Sequence, residues 1–89
     1  MQSFIPLHPD MFHTLIVGSQ YEVTRTYTVQ TNIKEPDVEP IYETRTETYI
    51  ATLTQVLPNH TIPQMYMKDN TDCHITLSGG WEQYQIRPV

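Results

Sequence analysis

The chain has 89 residues, enough for one domain with a single modest core and too few for that core plus a deep, walled active site. Ten acidic residues against five basic ones give a formal net charge of −5, which opposes non-specific attraction to phosphate backbones because that attraction depends on clustered Lys and Arg. With 13 Thr and six Tyr but only three Gly, the composition reads as all-β with turns made mostly by Pro, Asn and Asp, and the small size favours a binding module over an enzyme.

Residues 1–13 hold Pro6 and Pro9 among Phe4, Ile5, Leu7, Met11 and Phe12. The prolines block regular pairing, yet the segment carries more apolar weight than a disordered tail. Residues 1–17 are therefore expected to be an irregular segment packing on a small β-barrel domain formed by residues 18–89. Asp10 is placed to cap a single helical turn over residues 11–15. Gly18 and Ser19 mark a turn into the first strand.

A Thr-Arg-Thr pattern occurs at residues 24–26 and again at 44–46, joined by a Pro-containing acidic connection. Both copies alternate strictly, Thr on one face and Tyr, Val, Arg or Glu on the other, and β-branched Thr suits a pleated surface. These features predict a long β-hairpin with strands over about 21–30 and 42–56. Tyr49, Ala51 and Leu53 share a face while the next apolar residue is Val56, so a bulge is expected near Gln55 to bring Val56 inward. Register follows from charge: paired positions summing to 72 set Arg25 against Glu47, Tyr27 against Arg45, and Thr24, Thr26 and Thr28 against Thr48, Thr46 and Thr44. A sum of 70 would oppose Arg25 to Arg45.

Beyond the hairpin, Pro58, Asn59 and His60 make a turn, and residues 62–69 form a third strand with Met65 and Met67 on one face and Gln64, Tyr66 and Lys68 on the other. Residues 69–72 are a strong turn signal. Cys73, Ile75 and Leu77 are expected to point inward on a fourth strand. After Ser78, Gly79 and Gly80, a fifth strand over residues 81–87 puts Tyr84 and Ile86 on one face and Trp81, Gln83, Gln85 and Arg87 on the other.

Five strands in this order, with a long first connection and tight later turns, resemble the SH3-like small β-barrels. The residues that carry the resemblance are 18–23, 49–56, 65–70, 74–77 and 84–87, so it spans roughly residues 18–88 as a pattern of strands and turns. The resemblance implies binding, since the fold hosts peptide binders, chromatin readers, RNA-binding proteins and small viral proteins. The acidic-aromatic groove of the peptide-binding SH3 family is missing here, so it does not imply a proline-rich ligand.

His8, His13, His60, His74 and Cys73 are the metal-ligand candidates, but their spacing matches no zinc pattern, and Cys73 reads as a small core residue. Ser78, Gly79 and Gly80 lack the Walker lysine and a following helix, and there is no nucleophile elbow. No catalytic residue, metal or cofactor is expected. Trp81 with Tyr66, extended by Arg87, would form an exposed aromatic patch unless residues 4–12 cover it, and Arg25 and Arg45 add cations on the hairpin. These five residues are the candidate partner surface.

The expectation is a soluble, cytoplasmic, non-enzymatic protein-binding module, of the kind a small viral-type accessory protein or an inhibitor of a host protein would be. Its partner is another protein, with dimerisation through the hairpin edge as one mode. One Cys, no basic and long apolar leader and no bilayer-length apolar run underlie the compartment and the absence of a membrane role. The alternative is a nucleic-acid-binding small barrel, which would need Arg25, Arg45, Lys68 and Arg87 on one face.

Overall fold

A computed structural model of the chain describes residues 3–32 and 35–89. The chain is all-β: an antiparallel sheet of six strands, β1 Ile5–Pro6, β2 Gln20–Gln30, β3 Tyr42–Leu57, β4 Gln64–Asp69, β5 His74–Leu77 and β6 Tyr84–Pro88. Their order across the sheet is β1-β6-β2-β3-β4-β5. The sheet is open, with β1 and β5 as its outer strands, so the expected five-stranded barrel is corrected to six strands without closure.

The hairpin has the register that its charges dictate. Every pair from Gln20↔Thr52 to Gln30↔Tyr42 sums to 72, including Arg25↔Glu47, Tyr27↔Arg45 and Val23↔Tyr49. The bulge lies between Leu53 and Gln55, where the register against β4 shifts and brings Val56 opposite Met65. An extra residue at this point bends β3 and lets one strand serve two neighbours in succession, β2 along 42–52 and β4 along 51–57.

The core lies on one face of the sheet, where strand alternation gathers Val23, Ala51, Leu53, Met65, Met67 and Ile86, all at most 1% exposed. Leu7 and Phe12 close it from the N-terminal side, and a fully buried side chain of this size contributes roughly 1.5–3 kcal/mol. Phe12 sits on a 3-10 helix, Pro9–Thr14. The cap of that helix is His8, whose Nδ1 accepts from the Asp10 N–H at 3.2 Å; Asp10 lies in the first turn and Pro9 at its start. The sequence had offered Asp10 as the cap.

The remaining differences have local causes. Residues 4–7, expected to be irregular, contribute β1, which pairs Ile5 with Ile86 and Pro6 with Gln85 at the rim of the sheet, where a missing N–H is tolerated. Strand β4 starts at Gln64, after Pro63 and the exposed Ile62. Cys73 is exposed in the β4–β5 turn, not in the core. Asp69 Oδ1 accepts from the Thr71 and Cys73 N–H groups at 2.8 and 3.0 Å, and Asp72 adopts φ +63°, which delays the next strand to His74. Those bonds, the Thr71 hydroxyl first, hold the Asp69 carboxyl below its ordinary pKa. At the other end, Gly80 at φ +63° opens a short 3-10 helix, Trp81–Gln83, in place of the first three residues of the expected strand.

Candidate interaction surfaces

The two long strands outrun their neighbours. Strand β6 pairs with β2 only as far as Arg25, opposite Tyr84, and β4 pairs with β3 only as far as Ala51, opposite Asp69. Past those points β2 and β3 continue as a two-stranded arm, and the molecule reaches 50 Å along its longest axis against 31 and 26 Å across. All of residues 42–48 are exposed.

Among the described residues no side chain of the arm is fully buried, so the arm depends on its ladder and on cross-strand pairs. The Thr24 and Thr48 hydroxyls lie 3.1 Å apart and those of Thr26 and Thr46 3.5 Å. Tyr27 donates its hydroxyl to Glu47 Oε1 at 2.7 Å, and Arg45 pairs with Glu43 at 3.4 Å. Cross-strand threonine pairs of this kind contribute roughly 0.2–1 kcal/mol each. A two-stranded ribbon is marginal by itself, and a third strand is the usual remedy.

The backbone polarity of the free edge can be read from both ends of the ladder. Leu53 donates its N–H to the Ser19 carbonyl at 2.9 Å, and the Ile41 carbonyl accepts from the Thr31 N–H at 2.9 Å. The β2–β3 register is uninterrupted between them, so odd-numbered β3 residues bond inward to β2. Even-numbered residues, from Tyr42 to Ile50, turn N–H and C=O outward to the flank without a strand. Along 52–57 that flank is occupied by β4; along 42–50 no strand pairs with it among the described residues.

At the base of the arm, on the core-facing side, Arg25 organises a polar-aromatic cluster. Its guanidinium carbon lies 4.3 Å from the centre of the Tyr27 ring and 6.0 Å from that of Tyr84, and its Nε donates to Gln83 Oε1 at 3.1 Å. Burial, and then the neighbouring Tyr84, push the Tyr49 phenol up to about 12. The bond to Glu47 raises that of Tyr27. Guanidinium and phenol groups gathered in this way are the chemistry of protein-binding hot spots.

The five residues singled out from the sequence do not share one surface. Arg25 and Arg45 stand on the core-facing side of the hairpin, whereas Arg87 lies on the reverse side, bonded to Glu22 Oε1 through Nε at 2.6 Å and 4.1 Å from the Phe4 ring centre. Tyr66, between the buried Met65 and Met67, also faces the reverse side and donates to Gln64 Oε1. Trp81 is half-buried, its ring edge-on to Phe12 with centroids 5.3 Å apart, so the N-terminal segment packs against Trp81 and the expected patch with Tyr66 does not form. Lys68 shares the reverse side with Arg87, so the four cations needed for a nucleic-acid face divide two and two across the sheet.

A groove beside the N-terminal helix went unnoticed in the sequence. This groove, of about 550 Å³, runs between the N-terminal 3-10 helix and the β1–β6 rim, lined largely by Ile5, Met11, Leu15, Ile16, Ile86 and Val89. Its Ile16 and Val89 are 65% and 70% exposed. The sequence signal was the apolar run at residues 15–17 just before Gly18, which the strand pattern left unassigned. Among the described residues no three His, Cys, Asp or Glu side chains converge in a metal-binding arrangement, and no helix is long and apolar enough to cross a membrane. Comparison with known proteins finds no matching family model, no matching curated protein and no matching solved structure.

Proposed function

We propose that the chain is a non-enzymatic protein-binding module that takes an extended segment of another protein onto the outer edge of its hairpin arm. The observation that carries this reading is the run of outward N–H and C=O groups along residues 42–50, on a stretch of strand whose residues 42–48 are all exposed. Main-chain hydrogen bonds to an added strand supply the affinity, and side chains on alternate faces supply the specificity. An added strand also gives the arm the third member that a two-stranded ribbon lacks. The Arg25, Tyr27 and Tyr84 cluster lies at the base of the arm on the opposite flank, toward β6.

The body that presents the arm is read as an open-sheet relative of the SH3-like fold. The order β6-β2-β3-β4-β5 and the bend at the β3 bulge keep that resemblance for five of the six strands. An accessory or inhibitory role toward a host protein is consistent with a small acidic domain that works by occupying a partner.

The test is affinity recovery with wild-type protein, a Thr46→Pro variant and a Tyr66→Ala, Trp81→Ala double variant, each checked for folding. Proline at position 46 removes an outward N–H and leaves the inward ladder intact. The expected result is a nuclease-resistant protein partner that Thr46→Pro loses and the double variant keeps. Retention by Thr46→Pro with loss by the double variant would move the binding surface off the arm.

A further inference from the structure

We propose that the strand added to the arm is the β3 arm of a second copy of this chain, antiparallel, in the register where paired positions sum to 92. The inference rests on the strand-addition reading above and adds that a second copy takes the same edge when no other protein holds it. Only even-numbered β3 residues present their backbone outward, so a self-paired dimer must match even with even positions about a twofold axis. Few registers satisfy that condition, and the charges along the edge separate them.

In the sum-92 register the axis passes through Thr46, whose N–H and C=O bond to the same groups of the partner's Thr46. Arg45 then stands opposite the partner's Glu47, and Glu47 opposite the partner's Arg45. These are non-hydrogen-bonded positions, where facing side chains come closest. On the other face Thr44 meets the partner's Thr48, and Tyr42 meets the partner's Ile50. Tyr42 and Ile50 are the two exposed large hydrophobic residues of the free edge, 62% and 36% exposed, and this register covers both, at each end of the interface.

Neighbouring registers fare worse. A sum of 90 opposes Arg45 to its own copy and Glu43 to Glu47, and a sum of 94 opposes Glu47 to its own copy. A sum of 88 pairs Glu43 with Arg45 but leaves Ile50 without a partner. The free edge runs over residues 42–50, and its midpoint is residue 46, so the favoured register is also the one that uses its whole length. The other open edges among the described residues, 26–30 of β2 and the outer strands β1 and β5, are shorter. An interface of one strand from each copy is small, which places the dimer in the weak, transient class.

The test measures molecular mass by sedimentation equilibrium from low micromolar to millimolar concentration. Wild type is expected to pass from monomer to dimer. Arg45→Glu and Glu47→Arg each set like charges at both contacts, and each is expected to weaken self-association by on the order of tenfold or more. Mixed together they restore opposite charges at both contacts, so an equimolar mixture is expected to form a heterodimer that is tighter than either variant's self-association. In a Cys73→Ser background, mild oxidation is expected to cross-link a Thr46→Cys variant rapidly and a Thr44→Cys variant poorly, because position 44 faces position 48.

A monomer mass throughout the range overturns the proposal. So does a dimer that the mixed pair fails to restore, or one that cross-links better at position 44 than at 46. A monomeric protein that still loses a foreign partner on Thr46→Pro would overturn self-pairing alone and leave the strand-addition reading standing.

Discussion

At its base the β2–β3 hairpin has a strand on either flank and the core against one face, whereas a few residues further on the same two strands have neither among the described residues. Val23 and Leu53 are fully buried at one end, and residues 42–48 are all exposed at the other. Thr, Arg, Glu and Tyr alternate along the arm as regularly as apolar residues alternate at the base, so the secondary structure is the same and only the source of stability differs. The base is held by burial. The arm is held by its ladder and a set of weak pairs, which leaves its outer backbone free to be used.

The comparison breaks most visibly in the core. Phe12→Ala removes a ring that is 1% exposed and seated against Trp81, and it is expected to lower global stability by about 3–5 kcal/mol in denaturant titration. A loss below 1 kcal/mol, by the same titration, would mean that the N-terminal segment is not part of the core.

Proline sharpens the contrast within the arm. Arg45→Pro removes an inward N–H and is expected to melt the arm, seen as lost amide protection over residues 26–30 and 43–49, while the global unfolding midpoint barely moves. Thr46→Pro, one residue away, removes an outward N–H, and the cost expected for it is within about 1 kcal/mol because an edge strand accepts proline on its open side. Equal effects of the two would contradict the assignment of inward and outward residues.

The smallest effect is a titration at the junction of the two regions. The Tyr49 phenol is raised from 10 to about 12, so the folded state favours its neutral form. The stability this contributes is fully present below pH 10 and is lost as pH rises through about 12. Phenolate absorbance should show one tyrosine ionising near 12, with the base of the arm loosening in step. In a Tyr49→Phe variant that late step should be missing.

Much of this was legible in the residues. The hairpin, its sum-72 register and the β3 bulge follow from alternation, from Arg25 needing Glu47 opposite it, and from the offset between Leu53 and Val56. The sixth strand was hidden because Pro6 argues against pairing, and only its place at the rim makes it acceptable. Cys73 and Trp81 were misplaced for local reasons, the side-chain bonds of Asp69 and the left-handed backbone at Asp72 and Gly80, which shift strand starts by one to three residues. The candidate surface was legible only in part. Alternation places Arg25 on the face of Val23 and Arg87 on the face away from Ile86, but that Tyr84 comes to stand beside Arg25 depends on how β6 registers against β2, a contact between distant segments that no local pattern encodes.

The most direct test of the account is residue-resolved amide hydrogen exchange along β3, in protein dilute enough to be monomeric by mass. Protection of Arg45, Glu47 and Tyr49 with rapid exchange of Thr44, Thr46 and Thr48 is the predicted result, the latter three slowing only when the edge is occupied. Protection of Thr44, Thr46 and Thr48 in the dilute monomer, or rapid exchange of all six, would contradict an arm that is formed on one side and open on the other.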